Sequence, residues 1–348
     1  MKAKIFQIIA VFFILACSKK TVEGAEGWTV VSETVKYRQN SDILTLETGG
    51  STYNLPLTKL PYRRVVLLNA SLVGYFTELG MEESIAGISS PEYIYSPKIH
   101  QLLNAGEIRN VGNEQKYNVE KIIALKPDAV FTNRIAVFQN TYELLEKNGI
   151  TVIFLDEYLE KDALSKSRYL LVVGKLMGQQ EQAQKKYEKI KNSYGSLVVL
   201  ASEVKNRPAV LANEMYGSQW YLPGGHSIIA GLIEDANGNY INAGSKSEGS
   251  EALSFEEVYA RSKNAEVWVN AGNHKSRQDL LRTNLNYSKM NVFTSGKIYT
   301  VTQKERRKSN DYFESGVVRA DLVLKDYIRI FHPDLLPGYD LTYHKELK

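Results

Sequence analysis

The chain has 348 residues, of which 43% are hydrophobic, and its formal net charge is +4 at pH 7. This length allows two domains, and the apolar content is ordinary for a globular protein with a buried core. So mild a charge argues against a nucleic-acid-binding protein. With a single cysteine, the chain cannot form an intramolecular disulfide.

The N-terminus has the pattern of a secretory signal peptide. Lys2 and Lys4 precede an apolar run from Ile5 to Ala16, which is shorter than the roughly 20 residues that span a bilayer. The Ile-Leu-Ala-Cys sequence ending at Cys17 resembles the lipobox of bacterial lipoproteins. The resemblance implies cleavage before Cys17 and lipid attachment to its sulfur, which would anchor the protein firmly. The alternative is an ordinary signal peptide with an incidental cysteine.

We therefore predict a signal peptide over residues 1–16, a polar tether over residues 17–27 and a lipid-anchored location at the periplasmic face of the cell envelope. Residues 28–59 have weakly alternating apolar positions and contain the turn Gly49-Gly50. This pattern predicts a small N-terminal β extension, to which the sequence assigns no role.

Short apolar strands and helices alternate from residue 60 onwards. Val65–Leu68 is a wholly apolar strand of the kind found in parallel sheets covered on both faces, and Leu72–Leu79 is a helix that ends at Gly80. The alternation continues through strand 85–88, helix 119–125, strand 129–131, helix 142–148 and strand 151–155. It predicts an α/β lobe over residues 60–180.

Residues 181–205 have the periodicity of one long helix. Apolar side chains recur in steps of three and four, and the segment contains no proline; the next one is Pro208. At 1.5 Å per residue, this helix would be about 37 Å long, whereas the mean helix has roughly 11 residues. A helix of this length can join two domains.

Strands and helices alternate again over residues 206–348, which predicts a second α/β lobe. The predicted elements are strand 209–212, helices 227–234 and 255–260, strands 265–269 and 298–301, and a closing helix 315–331. Segment 120–133 resembles segment 256–270, because each runs from a helix through a polar turn into an apolar strand and Asn. The repeat favours two similar lobes; the alternative is chance similarity between two such units.

The chain lacks the local motifs of common enzymes. It contains no G-x-S-x-G, G-x-x-x-x-G-K-[ST], H-E-x-x-H or G-x-G-x-x-G sequence. Its histidines are far apart, so we predict no metal held directly by the protein and no cofactor. They are His100, His226, His274, His332 and His344.

These absences favour a binding protein over an enzyme. The alternative from another class is an exported, lipid-anchored α/β enzyme. It requires Glu214, His226 and His274 to converge.

The sequence around Pro127 resembles a known family. Leu-Lys-Pro-Asp-Ala-Val at 125–130, with Asn-Val-Glu-Lys-Ile at 118–122 and Asn-Gly-Ile-Thr-Val at 148–152, is similar to the core of periplasmic binding proteins that serve ABC importers of iron-siderophores, haem and cobalamin. The resemblance continues at 222–227, 253–258 and 311–315. It implies an α/β fold with two α/β lobes joined by one long rigid helix, here with a small N-terminal β extension, and a ligand clamped between the lobes.

Ligands of open α/β sheets bind beyond the carboxyl ends of the strands. The loops after the predicted strands carry aromatic side chains that suit a large flat or apolar ligand, and arginines that suit carboxylates or catecholates. The predicted ligand-binding residues are Tyr93, Tyr95, Arg134, Trp220, Tyr221, Arg306, Arg307 and Tyr312. The alternative is that these tyrosines pack on the lobe surfaces and that the basic run at 306–308 is a solvated turn.

The resemblance also implies protein partners. In the family, one exposed Glu on each lobe docks onto permease arginines, and the motifs match at Glu120 and Glu314. A Glu that begins a helix, such as Glu120, also simply favours the helix dipole. We therefore expect a monomer that delivers its ligand to an ABC permease and its ATPase. Scarce histidine argues against free metal ions, and clustered arginines favour an anionic ferric siderophore, with cobalamin ranked second and haem third.

Overall fold

The computed structural model describes residues 23–24 and 27–348. The predicted signal peptide, Cys17 and most of the tether lie outside the described residues. In the described part of the chain, no helix combines the length and the apolarity needed to cross a membrane.

The N-terminal extension is a five-stranded antiparallel sheet whose strands pair in chain order. The strands are β1 (Glu23–Gly24), β2 (Trp28–Val30), β3 (Lys36–Gln39), β4 (Ile43–Thr48) and β5 (Ser51–Pro56). Along β4, Leu44 and Leu46 are fully buried and their neighbours are less so. Because strand side chains alternate between faces, one face of the extension joins the core of the first lobe.

The first lobe contains a parallel sheet with helices around it. The strands are β6 (Val65–Leu67), β7 (Ile85–Ile88), β8 (Arg109–Asn110), β9 (Gly112–Asn113), β10 (Lys116–Tyr117), β11 (Ala129–Thr132) and β12 (Thr151–Phe154). The helices are α1 (Ala70–Leu79), α2 (Pro97–Ala105), α3 (Val119–Ala124), α4 (Gln139–Lys147) and α5 (Ala163–Leu176). The parallel sheet has the order β12-β11-β6-β7-β8. Its central strands are buried throughout, as expected for a sheet covered on both faces.

The extension covers the edge strand β12. Phe154 N donates a 3.1 Å hydrogen bond to the Tyr53 hydroxyl, and Thr48 Oγ1 donates a 2.9 Å bond to the Phe154 carbonyl. Edge strands expose unpaired backbone groups. The extension satisfies two of these groups on β12.

The predicted long helix is α6 (Gln180–Ser202), which ends three residues before the predicted boundary. Tyr187 and Ile190 belong to the core of the first lobe, whereas Tyr194 and Leu197 belong to the core of the second. One continuous helix therefore contributes to both cores. This arrangement confirms the predicted fold class, and it limits the motion between the lobes because a packed helix resists bending.

The second lobe contains the remaining elements. Its strands are β13 (Ala209–Ala212), β14 (Met215–Tyr216), β15 (Gln219–Pro223), β16 (Asn239–Tyr240), β17 (Ser250–Leu253), β18 (Val267–Val269), β19 (Lys297–Thr300), β20 (Glu305–Arg306), β21 (Ser309–Asn310) and β22 (Lys345–Glu346). Its helices are α7 (Ile228–Asp235), α8 (Phe255–Arg261), α9 (Arg277–Thr283), α10 (Asn291–Thr294), α11 (Ser315–Val318) and α12 (Ala320–Phe331). The main sheet has the order β16-β13-β18-β19-β22, and only β22 is antiparallel.

The two main sheets share a topology. In the first lobe, the first strand of the main sheet, β6, lies between β7 and β11. In the second lobe, the first strand of the main sheet, β13, lies between β16 and β18. The repeat strands are β11 and β18. The weak sequence repeat therefore falls on topologically equivalent elements.

Helices α2, α5, α9 and α10 were not predicted from the sequence, and the closing helix differs from its prediction. Helix α5 was missed because residues 169–173 are all buried, so the segment lacks an exposed face and shows no amphipathic period. The closing helix is divided into α11 and α12 at Arg319, whose guanidinium bonds Asp321 at 2.9 Å and lies 3.9 Å from Glu78.

Candidate functional site

The carboxyl ends of the two main sheets meet at a cleft between the lobes. Asn69 and Asn133 follow β6 and β11 of the first lobe; in the second lobe Asn273 follows β18, and Asn310 ends β21, in the hairpin that comes after β19. All four side chains line one cavity of about 650 Å³. Ligands of doubly wound sheets bind at this end of the strands, so the cleft is the candidate binding site.

A second cavity of about 380 Å³ adjoins the first. Tyr158, Lys166, Phe313 and Val317 line both cavities. Tyr158 and Phe313 are among the most exposed large apolar residues, at 50% and 56% of their surface. The two cavities therefore form one gap with an aromatic residue from each lobe.

The wall on the first lobe contains a buried carboxylate, that of Glu157, which is only 2% exposed. Asn133 Nδ2 donates a 2.8 Å hydrogen bond to Glu157 Oε2, and Ser71 Oγ lies in hydrogen-bond range of Glu157 Oε1. Burial raises the pKa of the Glu157 carboxyl, against these bonds and the nearby Lys166 charge. The Ser71 hydroxyl also lies 2.8 Å from Asn69 Oδ1, so its single proton serves one acceptor at a time.

Lys166 on α5 is the half-buried cation of this wall. Burial lowers the pKa of its ammonium, and the charges of Glu157 and Glu160 oppose that shift. Within residues 27–348, Lys166 Nζ donates no hydrogen bond and lies within 4.0 Å of no carboxylate oxygen. The Lys166 ammonium therefore has no partner among the described residues, and Lys166 lines the cleft.

Three buried carboxylates, those of Asp156, Glu157 and Glu160, fix the segment 156–160 through hydrogen bonds. Asp156 accepts a 2.6 Å bond from Arg134 N, and Glu160 accepts bonds from Ser32, Thr34 and Tyr169 hydroxyls at 2.6, 2.7 and 2.9 Å. Tyr158, between them, is exposed to the cleft. The N-terminal extension thus takes part in positioning a cleft residue.

Two of the predicted ligand-binding residues line the cleft. Tyr93 is 44% exposed and lines the larger cavity. Tyr312 lines the smaller one, and burial raises its pKa to about 12 against hydrogen bonds from Asn270 and Tyr327. Tyr95 is half-buried beside the contact between lobes and lines neither cavity.

The prediction for Trp220 is wrong. Its indole is fully buried, packs on Trp268 with ring centroids 5.4 Å apart, and donates a 3.1 Å hydrogen bond to the Ala212 carbonyl. It belongs to the core of the second lobe. Tyr221, the next residue on β15, is exposed on the opposite face but lines neither cavity.

The predicted arginines do not line the cleft. The Arg134 guanidinium stacks 3.8 Å from the Phe154 ring centroid and donates to the Gly49 carbonyl at 3.0 Å and to Ser51 Oγ. It fastens the N-terminal extension, which the sequence prediction did not consider. Arg306 and Arg307 are exposed at the β20–β21 hairpin, outside both cavities.

The prediction of a surface-exposed Glu314 is also wrong. Glu314 is 3% exposed, and its carboxylate accepts the backbone N–H groups of Tyr95 at 2.6 Å and Ser96 at 3.2 Å. It therefore ties the second lobe to the N-terminus of α2 in the first. Burial raises its pKa to about 7, and the neighbouring Asp311 adds to the shift. Glu120, the other predicted docking residue, is exposed at the start of α3.

The residues of the enzyme alternative converge only in part. His274 Nε2 lies 2.6 Å from Glu214 Oε2, whereas the His226 side chain hydrogen-bonds neither of them in the described structure. Across residues 27–348, no group of three or more His, Cys, Asp or Glu side chains could hold a metal ion.

The sequence analysis missed Tyr158, Lys166, Phe313 and Glu157. Lys166 lies on the missed helix α5, and Glu157 and Tyr158 lie between β12 and that helix. The rule that sites follow the carboxyl ends of strands did lead to this end of the two sheets. It could not say which side chains point into the cleft.

The geometry defines a two-lobed α/β solute-binding protein, and comparison with known proteins agrees. The family model described as periplasmic binding protein matches residues 65–305, more than half of the chain. The chain belongs to the periplasmic binding protein family.

Relatives and solved structures extend the comparison. An uncharacterized lipoprotein of Methanocaldococcus jannaschii is 24% identical over 82% of this chain and 69% of its own length. A second uncharacterized lipoprotein of that organism is 22% identical over 93% of this chain and 83% of its own.

Two solved structures share the fold. A periplasmic haem-binding protein from Roseiflexus sp. RS-1 has a TM-score of 0.60 and 17% identity, over 78% of this chain and 99% of its own. A protein of an ABC-type Fe3+-hydroxamate transport system from Saccharomonospora viridis has a TM-score of 0.59 and 19% identity, over 82% and 97%.

Proposed function

We propose that this protein is the lipid-anchored solute-binding component of an ABC importer, and that it captures a ferric siderophore between its lobes for delivery to the permease. One observation carries this proposal: a cleft at the carboxyl ends of two parallel sheets, with Tyr158 and Phe313 facing it from opposite lobes. Aromatic walls with a few placed polar groups suit a large organic chelate. The similar solved structures include a haem-binding protein and a protein of an Fe3+-hydroxamate transport system, which favours an iron complex.

Haem is the second candidate. The larger cavity is lined by Tyr93 and Tyr158, and a tyrosine phenolate can ligate haem iron. Cobalamin has no comparable feature in its favour and serves as a third probe.

The test is a titration of the purified protein lacking residues 1–17 with ferric siderophores, haem and cobalamin. Calorimetry and thermal melting are the measurements, because a ligand at 100 times its Kd stabilises the folded state by about 2.7 kcal/mol. We expect a ferric siderophore to bind and raise the melting temperature. Failure of every chelate to bind or stabilise the protein would refute the proposed function.

Lipid anchoring at Cys17 is supported by its sequence context and by the lipoprotein names of two relatives. Radiolabelled fatty acid should label the wild-type protein in cells and leave Cys17→Ser unlabelled. Labelling of both proteins would refute attachment at this sulfur.

Docking onto the permease requires a different second glutamate beside Glu120, because Glu314 is buried. The internal repeat pairs Glu120 at the start of α3 with Glu256 at the start of α8, and both are exposed. We propose this pair as the docking charges. Charge reversal of both should abolish ligand-stimulated ATPase activity of the reconstituted importer without changing ligand affinity; unchanged stimulation would refute the assignment.

A further inference from the structure

Lys166 lies where the two cavities of the cleft join. It is on α5, with its backbone carbonyl accepting a 2.9 Å hydrogen bond from the Tyr75 hydroxyl, and its side chain lines both cavities. The cleft wall therefore contains a cation that water reaches only partly.

The two nearest carboxylates do not neutralise this cation by contact. Glu157 is bonded by Asn133 and Ser71, and Glu160 Oε1 by the hydroxyls of Ser32, Thr34 and Tyr169. Both carboxylates are buried in the cleft wall, Glu157 lining the larger cavity and Glu160 the smaller one. Their hydrogen bonds come from neutral groups, so their charges act on Lys166 only through space.

The other charged groups of the cleft are differently placed. Glu248 lines the smaller cavity and pairs with Lys161 at 3.1 Å. Glu114 and Lys308 line the larger cavity from exposed hairpins, where water solvates them. Among the charges that line the cleft, Lys166 alone combines partial burial, access to both cavities and the absence of a partner within the described residues.

A desolvated charge without a partner is unfavourable, and proteins normally pair such charges. A bound anion would provide the missing partner, in a setting where a charge-assisted hydrogen bond is strong. We propose that Lys166 selects the ligand by charge: the cleft takes a metal chelate that places an anionic oxygen, from a catecholate or carboxylate, on the Lys166 ammonium. This inference rests on the proposed function and names the chemical class of its ligand.

The position of Lys166 also determines where the rest of the ligand lies. With its anionic oxygen at Lys166, the apolar part of the chelate lies between Tyr158 and Phe313, which flank Lys166 in both cavities. A neutral tris-hydroxamate complex fills the same space without pairing the ammonium. The cleft therefore prefers the anionic complex.

The experiment compares a trianionic ferric tris-catecholate with a neutral ferric tris-hydroxamate by calorimetric titration. Wild type is measured beside Lys166→Met, Lys166→Arg and the matched control Lys175→Met. Lys175 is on the same helix and half-buried, but faces Tyr37 of the N-terminal extension, 5.8 Å from its ring centroid. Circular dichroism confirms the folding of each variant.

We expect wild type to bind the catecholate complex more tightly than the hydroxamate complex. Lys166→Met should weaken catecholate binding by about 10- to 100-fold, the effect of losing one hydrogen bond to a charged group. Lys166→Arg and Lys175→Met should retain the preference.

Equal affinity of wild type for the two complexes, or catecholate binding unaffected by Lys166→Met, would overturn the inference and leave the proposed function standing. A wild type that binds neither complex, nor haem or cobalamin, would overturn the proposed function itself. Because the preference is measured first in wild type, the test does not depend on any variant folding.

Discussion

Trp220 and Tyr221 are neighbours in the sequence with opposite environments. Alternation along β15 turns Trp220 into the core and Tyr221 toward solvent. The sequence predicted that both follow a strand near the ligand, but it could not fix which face of this short hairpin is covered. Trp268 and Tyr287, which enclose Trp220, come from distant segments.

Truncation of Trp220 tests this assignment. We expect Trp220→Ala to lower the free energy of unfolding by about 3–5 kcal/mol, because it leaves a large cavity in a packed core. Tyr221→Ala should change it by about 0.5 kcal/mol or less, as surface substitutions do. Urea denaturation measures both; similar values for the two variants would contradict the core position of Trp220.

At the scale of elements, the N-terminal extension is part of the first lobe's structure. Ser32 and Thr34 bind the buried Glu160, and Glu160 ends the segment that presents Tyr158. The sequence predicted a β extension but no role for it, since Glu160 and Phe154, which it bonds, lie more than 100 residues away along the chain.

Ser32→Ala should therefore destabilise the protein. The loss of a hydroxyl donor to a buried carboxylate costs about 1–3 kcal/mol. Ser41→Ala is the control, since Ser41 bonds Asp42 at an exposed turn. Chemical denaturation compares them, and an equal, small effect of both substitutions would show that the extension does not hold Glu160.

The long helix contains one glycine with open space around it. A Cβ at Gly195 would meet no atom within 4 Å, whereas a Cβ at Gly74 on α1 would clash with the Glu314 carbonyl. Because glycine is unfavourable inside a helix, Gly195→Ala should raise the free energy of unfolding by about 0.5–1 kcal/mol. Gly74→Ala should lower it, and a stable Gly74→Ala protein would contradict the close packing of α11 on α1.

At the scale of the whole molecule, Glu314 joins the lobes. Its carboxylate accepts two N–H groups at the start of α2, and burial raises its pKa from 4.5 to about 7. Between these two values the folded state holds a proton that the unfolded state has released. The contribution of Glu314 to stability is therefore largest below about pH 4.5 and falls as the pH rises to about 7.

Glu314→Gln removes this titration. The free energy of unfolding of wild type minus that of the variant should decrease as the pH is raised from 4.5 to 7, measured by urea denaturation at fixed ionic strength. A difference that stays constant or grows with pH would contradict the raised pKa.

The sequence was sufficient for the architecture and insufficient for the site. Apolar periodicity predicted α6, and the strand-helix alternation predicted both parallel sheets, because these signals are local. The residues that face the cleft depend on how the lobes meet: Arg134 is turned toward the extension and Glu314 is covered by α2, although both follow the expected motifs. Lys166 could not be found because its helix α5 was missed: residues 169–173 are all buried, so the segment shows no amphipathic period.

Hydrogen–deuterium exchange with a bound ferric chelate tests capture between the lobes most directly. We predict slower exchange in two segments at once, residues 156–166 of the first lobe and 308–317 of the second, which line the cleft together. The groove between α12 and β22, a separate cavity of about 510 Å³, should exchange as before. Protection confined to one lobe, or found in that groove instead, would contradict a ligand clamped between two lobes.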